Sequence, residues 1–248
     1  MHESLRALRG ILRSLCTYYG DRPRRDAMAR LYAGFVKPGE LAFDVGAHVG
    51  DRVAAFRSLG ARVVALEPQP ALARLLRLLY CLDRDVTVVA AAAGRAGGER
   101  ELLLNPENPT VATLSADFVK AADGAAGWEG QRWTGRARVA VVTLDDLIAR
   151  HGEPAFIKID VEGFEAETLA GLTRPVKALS FEFTTIQRDV AAQCLDRCAA
   201  LGYARFNAAL GESQAFAHAD WLPAAAIGRW LADLPHAANS GDIYAART

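Results

Sequence analysis

The sequence lacks a net charge: 29 lysines and arginines stand against 29 aspartates and glutamates. It therefore offers no overall basic field, and nucleic acid is not expected as the main partner. No apolar run approaches the roughly 20 residues needed to cross a bilayer, so no membrane span is expected. The first residues, MHESLRALRGILRSLCTYYG, are interrupted by Arg6, Arg9 and Arg13. No apolar core with a small-residue cleavage site follows, so a signal peptide is not expected. Cysteine is scarce. Cys16, Cys81, Cys194 and Cys198 are too few and too scattered for a disulfide framework in 248 residues. A reducing, cytoplasmic setting fits this usage. Internal repeats, low-complexity tracts and a clear domain linker are missing too.

What is present is a chain about half hydrophobic (51%), enough for a sizeable core. From Gly39 onward, short apolar runs alternate with helical patterns. LAFDVG (41–46), RVVALE (62–67) and VTVVAA (86–91) read as buried strands. Val49, Val53 and Phe56 mark one intervening helix face, and Leu72, Leu75, Leu76 and Leu79 the next. This order predicts an α/β fold, a parallel sheet with helices on both faces. Residues 94–138 are rich in Gly, Pro, Asn and Asp and predict a hairpin with long loops, a lid or substrate wall. Alternation returns with strands at 136–144, 155–160 and 178–183 and helices at 145–150, 164–172 and 188–201. SGDIYAART (240–248) predicts a last strand beside 202–206. In the 188–201 helix, Val190, Cys194, Cys198 and Leu201 form one apolar stripe, which favours core over metal binding for the two cysteines. Leu5, Leu8, Leu12 and Leu15 predict an N-terminal helix, residues 1–36 forming an extension packed on the 37–248 domain. Homodimerisation and membrane-surface binding are the alternative uses of that helix.

FDVGAHVGDRV (43–53) places a glycine-rich loop between strand and helix. A dinucleotide fingerprint would read G-x-G-x-x-G. Here Gly46 and Gly50 lie four apart, and Asp44 precedes them. An acid in front of the loop suits a cationic ligand, an ammonium or a sulfonium, better than a diphosphate. Glu67 ends the second strand, where doubly wound folds place a carboxylate for ribose hydroxyls. Together these residues suggest S-adenosylmethionine. An NAD-dependent oxidoreductase and a non-catalytic S-adenosylmethionine-binding protein remain as alternatives.

FDVGAHVGDRV, VVALEPQP, VVAAAAG, ATLS, VVTLDDLI and FIKIDVEGFEAETLAGL occur in an order that resembles the FkbM family of methyltransferases, over roughly residues 38–184. The resemblance implies a Rossmann-like class I methyltransferase fold, with a mostly parallel seven-stranded sheet. It also implies S-adenosyl-L-methionine as cofactor. Methyl transfer would go to a hydroxyl of a small-molecule acceptor: a sugar or glycan, a polyketide or another product of secondary metabolism. Carried over, Asp44, Gly46, Ala47, His48 and Gly50 would line the methionine end. Glu67 and Pro68 would hold the ribose, and Ala91 and Ala92 would sit near the adenine. His48 departs from the asparagine usual in that loop. It is a candidate base as well as a loop-holding group.

Ligands of open α/β sheets bind at the carboxyl ends of strands, where Asp160, Glu162 and Glu182 are expected to converge. Asp160 is the first candidate to touch cofactor or acceptor. Glu162, Glu182 and His48 are the further catalytic candidates, because an alcohol needs its proton removed during attack. Glu162 has a competing use as a helix N-terminal acid. Lys158 leaves the same sheet face as Asp160, and an ion pair with a neighbouring carboxylate is expected. Asp145 and Asp146, with Thr143 as N-cap, are expected to cap a helix. The acids show no dedicated metal-ligand spacing, so no metal is expected. Trp128, Trp133, Trp221 and Trp230 are candidates to stack on the acceptor, or else core residues.

Overall fold

The computed structural model describes residues 2–247, with side chains from residue 9 onward. Two helices come first, α1 (His2–Gly20) and α2 (Arg22–Tyr32). Asp21 caps α2 by accepting from the Arg24 amide at 3.0 Å. The alternating part follows as β1 (Leu41–Val45), α3 (Asp51–Ser58), β2 (Arg62–Leu66), α4 (Pro70–Leu79) and β3 (Val86–Val89). A short strand β4 (Ala92–Ala93), a long strand β5 (Gly98–Leu104), a helix α5 (Ala116–Ala122) and β6 (Gly135–Val142) form the middle. The chain ends with α6 (Leu144–His151), β7 (Phe156–Ile159), α7 (Glu165–Ala170), β8 (Ala178–Thr184), α8 (Arg188–Ala200), β9 (Arg205–Leu210), α9 (Ala224–Asp233) and β10 (Ser240–Ala246).

The main sheet has seven strands in the order β3-β2-β1-β7-β8-β10-β9. The first five pair in parallel, and β10 inserts antiparallel between β8 and β9. This is the expected mostly parallel seven-stranded α/β sheet. Side chains alternate across it. Phe43, Val45, Ile157, Ile159 and Phe181 enter one core, with Leu144, Leu169, Cys194 and Cys198 from the covering helices. Ala42, Val63, Phe156 and Tyr244 enter the other, against Met28, Tyr32 and Phe56. The two helical cysteines are buried free thiols, as the apolar stripe predicted. By the same alternation, Asp44, Lys158, Asp160, Glu182 and Asp242 share the second face, under α2 and α3.

Residues 94–138 contain the expected hairpin, β5 paired antiparallel with β6 and β4 alongside. They also contain α5, where only loop was expected. It is seven residues long, too short for a period to show. Its N-cap Ser115 accepts from the Phe118 amide, and Phe118 packs edge-on against Trp128 and Trp133. Trp221 packs against Phe35, and Trp230 against Phe183. All four tryptophans thus take packing roles.

Of the described leucines in the N-terminal stripe, Leu15 is half-buried and Leu12 faces outward. Leu12 is 52% exposed, whereas Gly10 and Ser14 are buried. A Cβ at Gly10 would stand 2.9 Å from the Pro109 ring, so small residues let this helix approach the Pro109–Val111 turn. The side chains of Leu5 and Leu8 lie outside the described residues. On α4, Leu72 and Leu76 are buried but Leu79 is exposed. Thr143 and Asp146 form the expected capping box of α6, and Asp145 accepts instead from Thr173. Among the described residues, no helix is long and apolar enough to cross a membrane.

Candidate functional site

Strand register builds the site. Val45 lies beside Leu66 and Ile159, and Ile159 beside Phe181, so the carboxyl ends of β1, β2 and β7 stand level with the middle of β8. Beyond Val45 the chain must turn at once. Gly46 has φ +90°, and a Cβ there would stand 1.8 Å from the Asp160 carbonyl oxygen, so only glycine fits. Gly50, also at positive φ, starts α3. Tyr19 and Tyr80 brace the loop from behind, donating to the Val49 and Gly50 carbonyls.

Two adjoining clefts open at this level. The first encloses about 520 Å³ and is lined by Gly46, His48, Glu67, Pro68, Ala91, Ala92, Asp160 and Glu162, with Leu102, Leu114 and Phe164 as apolar walls. The second encloses about 490 Å³ and is lined by Asp44, Gly46, His48, Asp160, Glu162 and Glu182, together with Tyr18, Arg52, Thr110 and Glu212. Every expected site residue except Ala47 and Gly50 therefore faces a cleft. Ala47 is buried and Gly50 packs near Leu76, so both shape the loop from behind.

Glu67 organises the first cleft. One carboxylate oxygen accepts from the His48 amide at 2.8 Å and the other from the Gln69 amide at 2.7 Å. Burial pushes this carboxyl up to about 8, against those two hydrogen bonds. Its remaining lone pairs suit a vicinal diol. Asp44 is 1% exposed, and its Oδ2 has no hydrogen-bond partner. Burial raises it to about 7, with Arg52 opposing. An orphaned buried carboxylate oxygen fits the ammonium of an amino-acid ligand. His48, at φ +47°, also leaves Nε2 without a partner, and burial lowers it to about 4, so its ring is neutral at pH 7.

The second cleft is acidic. Lys158, buried on β7, pairs with Asp242 at 2.6 Å and Asp160 at 3.1 Å, which meets the expectation of an ion pair. Burial pushes the Asp160 carboxyl up, but Lys158 and Arg52 outweigh it and hold it below its ordinary value. Glu162 and Glu182 have no such cation. Burial and the charge of Asp160 push both well above the usual carboxylate range. Glu162 does not cap α7, whose N-terminus has no side-chain cap; Glu165, its first residue, accepts instead from the loop amides of Val161 and Gly163. Glu162 instead sits at φ +55°, its carbonyl held by the Thr113 hydroxyl at 2.7 Å.

Several residues here carried no signal in the sequence. Arg52 and Arg24 both bind Asp51 and Glu212, tying α2 and α3 to the turn after β9. Tyr18 of α1 and Thr110 close the acidic cleft from above. Asp242 reads as an ordinary strand residue until register places it opposite Glu182.

The chain matches the model of the FkbM methyltransferase domain over residues 44–216. No curated protein matches it significantly. In fold it is similar to a TehB-like S-adenosylmethionine-dependent methyltransferase from Corynebacterium glutamicum. The identity is 13% and the TM-score 0.51, over 100% of this chain and 98% of that one. It also aligns with a precorrin-6y C5,15-methyltransferase from Geobacter metallireducens, at 14% identity and TM-score 0.46, over 90% and 87% of the two chains. The family match favours S-adenosylmethionine over a nicotinamide, as did the missing third glycine. With a class I fold, an acid-led glycine loop and Glu67 at the end of the second strand, the chain belongs to the FkbM methyltransferase family and is an S-adenosylmethionine-dependent methyltransferase.

Proposed function

We propose that the protein methylates a hydroxyl oxygen of a small-molecule acceptor such as a sugar or a polyketide. One observation supports this above all. Glu162 and Glu182 each bring an unpartnered carboxylate oxygen to the cavity beside the cofactor cleft.

Within this proposal Asp44, Gly46 and His48 hold the amino-acid end of the cofactor, Glu67 the ribose, and Ala91 and Ala92 flank the adenine. The cofactor supplies an electrophilic methyl group on a sulfonium. The protein's task is to aim an oxygen at it and to take away the oxygen's proton. Asp160, kept ionised by Lys158, places negative charge beside the developing reaction. Glu162 or Glu182, raised by burial, accepts the proton as the oxygen–carbon bond forms. A base with a raised pKa takes up that proton more readily than an ordinary surface carboxylate. His48, neutral at pH 7, is the alternative acceptor of the proton. Residues 94–138 and the N-terminal extension of residues 1–36 wall the site and keep water out.

The test is a screen of hydroxylated acceptors with the purified protein, after titration with S-adenosylhomocysteine establishes cofactor binding. Tandem mass spectrometry then locates the added methyl. An O-methyl product that disappears with Glu162→Gln or Glu182→Gln is expected. Methylation only of nitrogen or carbon would sink the proposal.

A further inference from the structure

The acidic cleft contains more negative charge than its cations answer. Asp160, Glu162 and Glu182 each offer one carboxylate oxygen, and these oxygens lie within 4.8 Å of one another. Among the described residues, the nearby cations are already engaged. Lys158 is held by Asp160 and Asp242, and Arg52 by Asp51 and Glu212. Glu162 and Glu182 have no ion-pair partner among the described residues.

A cluster of acids alone carries no such meaning, since it can share protons. The second observation is burial without satisfaction. Glu162 is 6% exposed, and its Oε2 has no hydrogen-bond partner. Leaving a charged oxygen buried and unpaired is costly, and a bound cation removes that cost.

We propose that Asp160, Glu162 and Glu182 bind one hard divalent cation, magnesium or manganese, at the wall of the acceptor cleft. Three carboxylate oxygens suit such ions, which keep their remaining positions for water or a ligand oxygen. No thiol or imidazole belongs to the trio, so a soft or zinc-type site is not indicated. An acceptor with two adjacent oxygens would replace bound waters and be oriented by the ion. The ion's use in orienting the acceptor rests on the O-methyltransferase proposal; its binding does not.

The probe is manganese, followed by the loss of its free-ion electron paramagnetic resonance signal in the full-length protein, with and without S-adenosylhomocysteine. One saturable ion per chain is expected, displaced by magnesium. Glu162→Gln and Glu182→Gln should each weaken it at least about tenfold, as metal-site substitutions commonly do. Glu167→Gln, whose carboxylate is exposed and pairs with Arg95, should leave it unchanged. No saturable binding by the wild-type protein in either state overturns the proposal, even if a variant does not fold. A loss smaller than tenfold in either folded glutamine variant overturns it as well. Manganese binding together with methylation only of nitrogen or carbon would leave the ion site standing and remove the O-methyltransferase proposal. A product formed equally well with chelator, and no manganese binding, would do the reverse.

Discussion

At the ribose end of the cleft, both oxygens of Glu67 accept backbone amides from the two loops that flank it. At the acidic end, Glu162 and Glu182 each leave an oxygen without a partner among the described residues, whereas Asp160 has a lysine. All four groups are acids near strand ends, Glu67 and Glu162 buried and Asp160 and Glu182 half-buried, yet one end is internally satisfied and the other is not. The difference marks two kinds of work. A carboxylate held by its own backbone is a fixed binding surface. A carboxylate left short of partners waits for a ligand, a proton or an ion.

The contrast breaks most visibly at the acidic end. If Glu162 or Glu182 is the base, its glutamine variant should lower kcat by roughly 10²–10⁴ while S-adenosylhomocysteine affinity falls far less. Steady-state kinetics and calorimetry together read that split. An equal loss in both quantities would make the two ends one surface. Next in size is Lys158→Met, which strands Asp160 and Asp242 in the second core. Denaturant unfolding should show a loss of about 3–5 kcal/mol. A near-neutral result would mean that the pair contributes no net stability.

The ribose end should respond in binding rather than turnover. Glu67→Ala removes an acceptor of charge-assisted hydrogen bonds, worth about 1.5–3 kcal/mol. Calorimetric titration should therefore find S-adenosylhomocysteine bound roughly 10–100-fold more weakly. Unchanged affinity would assign Glu67 to the loop alone.

The effect confined to acid pH belongs to the residue between the two ends. Burial lowers His48 from 6.5 to about 4. Within that window the unfolded chain takes up a proton that the native ring refuses. Native stability from this group is therefore full above the window and falls as pH drops through it. His48→Asn has no proton to bind. The stability difference between wild type and variant should be flat above pH 6.5 and shift against the wild type towards pH 4. The buried acids are common to both proteins and cancel in the difference. A pH-independent difference would show that the ring is not desolvated.

Legibility followed the same division. Gly46, Asp44 and Glu67 were readable because a strand-turn-helix unit and the start of the next strand's loop lie at local spacings. Chain geometry alone then brings them together. Asp160, Glu162 and Glu182 could be named as strand-end acids, but their mutual approach could not be measured. It depends on β7 and β8 being neighbours in register. Arg52, Asp242 and Glu212 were invisible for the same reason: each acts on a partner from another element. The helix packs on its domain as expected, but Leu12 of the stripe is exposed, because hydrophobic period reports which face of a helix is apolar. Which face packs depends on how close a neighbour can come, and at α1 the small residues Gly10 and Ser14 decided it.

The sequence by itself determined the order of strands and helices, the loop that must turn at Gly46 and the family of the chain. These rest on backbone conformation and side-chain period, which neighbouring residues set. Only the tertiary structure decided which acids share a face, which of them have a cation and which are left without a partner. Desolvation and charge pairing are properties of the packed interior, and they act across elements far apart in the chain.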